Sequence, residues 1–246
     1  CLLIRKFLDE GTVTANGRKN LVGFLSGSGI PEDEVDGARL LTDKDLWDPR
    51  TRLFAIAGYP ATQSRSPALF NHLFAHYGLS CHYLRFQDPD LLRILRLAEE
   101  VDLKGMSVTI PFKQEIVSSL TDIEIHANAI GAVNTVVWCS KRLFGYNTDW
   151  IGIREPLSEH RGENAVLLGA GGAAAAAVYA LLSLDMDVTI LNRTVEKAAV
   201  LAERFGCSYG PPGDFDRLNP GVVVNATPVG MEPELKSPLQ KHQLRS

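Results

Sequence analysis

Five side chains with chemistry to offer fall at the ends of apolar runs in the first half of this chain. Ser64 and Ser66 lie in "GYPATQSRSP", Ser107 and Thr109 close "GMSVTI", and Lys113 stands two residues past the proline that follows. Two more come later: Asn134 in "GAVNTVVW" and Asp149 at the end of "GYNTD". Hydroxyls, an amide, one ammonium and one carboxylate are the equipment for holding a polyhydroxylated acid. Each has a plainer reading when taken singly. Ser66 would cap a helix, and a neighbouring backbone would satisfy Asn134, whose burial in an apolar strand otherwise costs a few kcal/mol. A solvated surface lysine is the better reading of Lys113 alone. Yet Lys113 falls in the first turn of the helix expected over "PFKQEIVSSL", where the dipole makes a cation unfavourable by about 0.3–1 kcal/mol.

A second group of residues is shaped for a phosphate. "NAVLLGAGGAAAAA" reads as a buried strand, a glycine turn and a helix, with Gly169, Ala170, Gly171, Gly172 and Ala173 in the turn. Glycines let the turn fold tightly and let backbone approach a pyrophosphate at the helix N-terminus; the third fingerprint position, residue 174, is the permitted Ala. The next strand, "DVTIL", ends where an NAD site would show Asp or Glu for the ribose hydroxyl. Here stand Asn192, Arg193 and Thr194, with Lys197 one turn on, which suits a 2′-phosphate and favours NADP over NAD. A solvated Arg-Thr helix cap accounts for any one of these residues but not for their coincidence. A third strand ends in "NATPVG", putting Thr227, Pro228 and Val229 at the same edge.

The elements that must position these groups alternate strand with helix from residue 52 onward. "RLFAIAG" is a strand, and "SPALFNHLFAHYG" has helical spacing at 69, 70, 73, 74 and 77, with Ser66 at the N-cap, Pro67 at N1 and Gly78 as the stop. "HYLRF" is a strand, Asp88-Pro89 caps the helix "DLLRILRLAEE", and another strand follows. Such alternation predicts α/β architecture with a parallel sheet. Residues 1–50 carry weak periodicity and read as an N-terminal extension or linker. Residues 51–150 form a substrate-binding α/β domain and 151–246 a Rossmann-type NADP-binding domain, with "EHRGEN" as the polar joint. A cleft between two such lobes is where a small ligand is expected.

Composition excludes several classes. A net charge of −4 over 246 residues leaves no basic footprint for nucleic acid or anionic membrane. No apolar run approaches the roughly 20 residues that cross a bilayer, and "CLLIRKFLDE" lacks the flanks of an export signal. Cys1, Cys81, Cys139 and Cys207 are scattered without a C-x-x-C pair, and the histidines show no ligand spacing, so neither disulfides nor a metal are expected. These features point to the cytoplasm.

Together the residues resemble shikimate dehydrogenase. The carrying motifs are S-R-S-P at 64–67, S-V-T-I-P-F-K at 107–113, G-A-V-N-T at 131–135, N-T-D at 147–149, G-A-G-G-A at 169–173, N-R-T at 192–194 and N-A-T-P-x-G at 225–230. The resemblance implies NADP-dependent reduction of 3-dehydroshikimate. It places substrate contacts on Ser64, Ser66, Thr109, Lys113, Asn134 and Asp149, with Lys113 and Asp149 as the catalytic pair. Ser107 stands where many members have Asn, so an amide contact becomes a hydroxyl one. "NTDWIGIR" and "DPRTRLFAIAG" look most like fused forms preceded by a dehydroquinate dehydratase, although residues 1–50 show no dehydratase motif. Family members run some tens of residues past N-A-T-P-x-G into a segment carrying a Gln on the substrate, so a chain ending at "LQKHQLRS" is expected to bind its ligands less well. The competing readings are a quinate/shikimate enzyme using NAD and a non-catalytic, ligand-sensing homologue.

Overall fold

Leu53, Ala55, Ile56 and Ala57 are all buried in β1 (Arg52–Gly58), the burial of a strand covered on both faces. The computed structural model containing it describes residues 51–139, 142–230 and 236–243; the expected N-terminal extension at 1–50 lies outside them. Packing divides the chain into two units. Among the described residues, one holds 51–124 together with Val133–Tyr146, and the other holds Ile125–Ala132 and those from Asn147 onward. The exchange of 125–132 is invisible to a single boundary drawn in sequence.

In the first unit β1 is followed by α1 (Ser66–His76), β2 (Cys81–Gln87), α2 (Leu91–Glu100), β3 (Gly105–Val108) and β4 (Asp122–Ile123). Its sheet is completed by β5 (Thr135–Cys139) and β6 (Arg142–Tyr146) in the order β2-β1-β3-β5-β6-β4. Strands β1, β2 and β3 are parallel, as the alternation predicts, but β5 runs antiparallel to both β3 and β6. The sheet is therefore mixed. Only residues 140 and 141 separate β5 from β6, too few for the crossover of a dozen or more that a parallel pair needs. This reversal brings the start of β5 to the edge where β1 and β3 end.

Three local expectations need correction. Ser66 is the first residue of α1 and not its cap; Arg65 holds that place with helical angles (φ −88°, ψ −3°) and no side-chain cap. The cap of α2 is Asp90, whose carboxylate accepts the Leu92 N–H at 2.9 Å, while Asp88 accepts the Asp90 N–H and pairs with Arg93 at 3.2 Å. "PFKQEIVSSL" is not an α-helix: turns run through residue 114, and a 3₁₀ segment covers Glu115–Ser119. Its buried anchors, Phe112 and Ile116, are one turn apart, and Ser118 bonds back to the Glu115 carbonyl, the local competition that weakens helices. Lys113 therefore faces no helix dipole.

The second unit contains α3 (Ile125–Ile130), α4 (Asp149–Arg154), β7 (Asn164–Leu168), α5 (Gly172–Leu182), β8 (Asp187–Leu191), α6 (Val195–Phe205), β9 (Ser208–Gly210) and β10 (Val222–Asn225). Its sheet, in the order β10-β7-β8-β9, is wholly parallel. Leu167, Val188 and Ile190 meet Ala174, Ala177 and Val178 of α5 in the core. The alanine run packs on two sides, since Ala175 and Ala176 take Ile130 and Ala132. Side chains this small let a helix lie close to both neighbours.

Candidate active site

In the first unit the polar groups gather where β1 and β3 end and β5 begins. The Thr109 N–H bonds to Ala57 O at 2.8 Å, the Tyr59 N–H to Ile110 O at 2.9 Å and the Val108 N–H to Asn134 O at 2.7 Å. A Cβ on Gly58 would collide with the Thr109 methyl, so these two strand ends approach as closely as glycine allows. Lys113 is half-buried, and its carbonyl accepts the Val133 N–H at 2.7 Å, tying its turn to the segment before β5. Asn134 is a bend residue just before β5, half-buried and not inside a buried strand as expected; its Oδ1 accepts the Thr135 hydroxyl at 2.9 Å. The unit thus brings Ser64, Ser107, Thr109, Lys113 and Asn134 to one sheet edge.

Strand β2 holds this edge in place, which the sequence reading missed. The Ala61 N–H donates to Gln87 Oε1 at 2.5 Å, and Arg85 donates to Ser64 O at 2.9 Å. Tyr83 Oη donates to Ser107 Oγ at 2.6 Å. Burial pushes the Tyr83 phenol above its ordinary 10.0, and the hydrogen bonds with Ser107 draw it partly back. Ser64 Oγ accepts the Ser66 N–H at 3.3 Å, so the hydroxyl that meets the first orphan amides of α1 belongs to Ser64. The sequence signal was the alternation of Tyr83, Arg85 and Gln87 along a strand, three polar residues on one face.

Asp149 belongs to the second unit. The preceding strand ends at Tyr146, and Asp149 opens α4, half-buried. Its N–H donates to Asn147 Oδ1 at 3.0 Å, and the Asn147 amide donates to Ala132 O at 2.9 Å. Asn147 is only 3% exposed, a buried bracket that fixes where the helix starts.

The second unit also carries the glycine turn. Gly169 has φ +107°, and a Cβ there would meet the Thr227 methyl at 2.9 Å. Gly171 and Gly172 face open space, and Gly171 holds the cap position of α5 without a side chain to cap it. The Ala174 N–H bonds to the Gly171 carbonyl at 3.0 Å, and no side chain caps the amides before it, an uncapped cradle that fits a pyrophosphate. Asn192, Arg193, Thr194 and Lys197 follow β8; Thr194 holds the cap position of α6 without capping it, and Arg193 and Lys197 are exposed. Asn225 Oδ1 accepts the Thr227 hydroxyl at 2.6 Å and its N–H at 3.0 Å, while Thr227 Oγ1 accepts the Val229 N–H at 3.2 Å. These bonds shape the 225–229 turn beside Gly169. Among the described residues no group of three His, Cys, Asp or Glu could hold a metal ion, and no helix is long and apolar enough to cross a membrane.

A parallel β/α unit with an uncapped helix N-terminus behind a glycine turn, carried on a chain with a second α/β unit, defines a dinucleotide-dependent oxidoreductase. Comparison with known proteins narrows the class. Residues 56–136 match the shikimate dehydrogenase substrate binding domain, and 153–219 match the shikimate/quinate 5-dehydrogenase family. The NADP(+) shikimate dehydrogenase of Aquifex aeolicus is 38% identical over 191 residues, covering 74% of this chain and 70% of that protein. The crystal structure of shikimate dehydrogenase from the same organism superposes with a TM-score of 0.74 at 35% identity, over 80% of this chain and 77% of that one. A Thermus thermophilus shikimate 5-dehydrogenase in complex with NADP(H) and shikimate gives 0.71 at 34% identity, over 78% and 75%. This chain belongs to the shikimate dehydrogenase family.

Proposed function

We propose that the protein is a shikimate dehydrogenase, interconverting 3-dehydroshikimate and shikimate with NADP. The carrying observation is the single sheet edge where Ser64, Ser107, Thr109, Lys113 and Asn134 converge, in a chain whose relatives bear that activity in their names. In this reading the first α/β unit binds the hydroxylated acid and the second binds the dinucleotide. Ser64, Ser66, Ser107, Thr109 and Asn134 bond to the substrate's carboxylate and hydroxyls. Lys113 and Asp149 do the acid–base work: in reduction a proton reaches the ketone oxygen as the carbonyl becomes an alcohol, and in oxidation the same groups take it back. Bound NADPH supplies the hydride.

The glycine turn of 169–173 and the 227–229 turn would hold the pyrophosphate side of the dinucleotide. Arg193, Thr194 and Lys197, with Asn192, would hold a 2′-phosphate, the feature that favours NADP over NAD and shikimate over quinate use with NAD. Retention of both Lys113 and Asp149 speaks against a ligand sensor without activity. The likeness of "NTDWIGIR" and "DPRTRLFAIAG" to fused forms supports an upstream dehydroquinate dehydratase.

The test is NADP+ and NAD+ reduction followed by absorbance with shikimate or quinate, on wild type and Lys113→Ala. Turnover with shikimate and NADP+ is expected, falling roughly 10²–10⁴-fold in kcat for the variant at saturating substrate. Wild-type turnover by Lys113→Ala would remove the assigned role, and a preference for quinate with NAD+ would favour the second reading.

A further inference from the structure

Strand β2 places Tyr83, Arg85 and Gln87 on one face, and each reaches a part of the substrate edge. Tyr83 reaches furthest. In the sheet it pairs with Phe54 of β1, while Ser107 of β3 pairs with Ile56 on the other side of that strand. The phenol therefore crosses β1 diagonally to meet Ser107 Oγ at 2.6 Å. Every part of the side chain is held. Phe70 stacks on the ring at 4.6 Å with planes 12° apart, and Asn71 brackets the Tyr83 backbone, accepting its N–H at 2.8 Å and donating to its carbonyl at 3.0 Å. The residue is only 5% exposed.

A hydroxyl has one hydrogen to give and lone pairs to receive. With Tyr83 as donor, Ser107 Oγ is the acceptor of that bond, and the Ser107 hydrogen is left for another partner. No other bond of the Ser107 side chain is formed among the described residues. We propose that Tyr83 is a positioning residue for the substrate: its phenol, by donating to Ser107 Oγ, makes Ser107 a hydrogen-bond donor to an acceptor oxygen of the bound hydroxylated acid. The inference rests on the proposed function and adds to it a residue that does not itself touch the substrate.

Steady-state kinetics of Tyr83→Phe, Ser107→Ala and the double variant test it. Phenylalanine keeps the Phe70 stacking and the Asn71 bracket and removes only the hydroxyl. Each single change is expected to raise KM for shikimate roughly five-fold, the size of one hydrogen bond, with kcat within about two-fold and KM for NADP+ unchanged. The double variant is expected to be no worse than Ser107→Ala, because both changes remove one linked interaction. A structural role alone would move kcat and both KM values together. An unchanged shikimate KM in Tyr83→Phe, or losses that multiply in the double variant, would overturn the proposal. In wild-type protein carrying ring-labelled tyrosine, saturating shikimate should shift the Tyr83 ¹³Cζ resonance; an unmoved resonance also overturns it. Wild type that fails to oxidise shikimate at all removes the proposed function and this inference with it, whereas normal turnover with an unaltered Tyr83→Phe removes the inference alone.

Discussion

Lys113 drew notice in the sequence for a reason the structure takes away. It follows Pro111 and precedes an apparent amphipathic run, yet the run folds as turns and a short 3₁₀ segment. What remains is a half-buried lysine anchored through its own carbonyl to the segment that leads into β5. Tyr83 shows the reverse: inconspicuous in sequence, it is the buried phenol on which Ser107 depends. Its pKa is raised by burial, so on alkalinisation the unfolded chain loses this proton before the folded protein does. Stability from Tyr83 is therefore present in full below the ordinary value of 10.0 and is lost as pH rises through the higher folded value. Urea denaturation across the alkaline range should show wild type losing stability more steeply above pH about 10 than Tyr83→Phe does. Parallel curves would mean that the phenol titrates alike in both states.

At the scale of elements, the βαβ start of the second unit is the most legible piece of the molecule. Strand β7, the glycine turn and α5 lie where the spacing puts them, because a glycine turn between an apolar run and an alanine run has few other ways to fold. Gly169 is its tightest point. An alanine there must adopt φ near +107° and press on the Thr227 methyl, strain of about 1–3 kcal/mol. Gly169→Ala is therefore expected to lower the melting temperature of the protein and to weaken NADP+ binding while leaving the 51–124 strands intact. Calorimetry with and without NADP+ checks this; a variant that melts and binds like wild type would mean the turn can relax. Strand β5 was harder to read, since nothing within "TVVWC" states its direction. The short 140–141 connection fixes it against β6, by permitting only a hairpin, but leaves its direction against β3 open.

On the scale of the whole molecule, the two units differ in chemistry: one carries hydroxyls, an amide and an ammonium at a sheet edge, the other an uncapped helix N-terminus and exposed cations, and the proposed function gives them the substrate and the dinucleotide. A ligand that binds only the folded second unit must raise its apparent stability. At a hundred times its Kd, NADP+ should contribute about 2.7 kcal/mol, or roughly 5–10 °C in melting temperature. NAD+ at the same concentration should contribute clearly less, since it lacks the phosphate that Arg193 and Lys197 would meet. Equal shifts from the two dinucleotides, read by differential scanning fluorimetry, would count against the role given to those cations.

From residue order alone come the α/β class, the βαβ dinucleotide unit, its preference for a 2′-phosphate and the membership signalled by seven ordered motifs. These depend on side-chain type and spacing along a few residues, which local physics reads directly. Only the folded chain decides that Ile125–Ala132 joins the second unit, that β5 turns back to bring Asn134 beside Ser107 and Thr109, and that Tyr83 reaches Ser107 across β1. Each of these is a contact between residues far apart in sequence. Sheet order and the direction of β5 against β3 set such contacts, and no short window of residues encodes either.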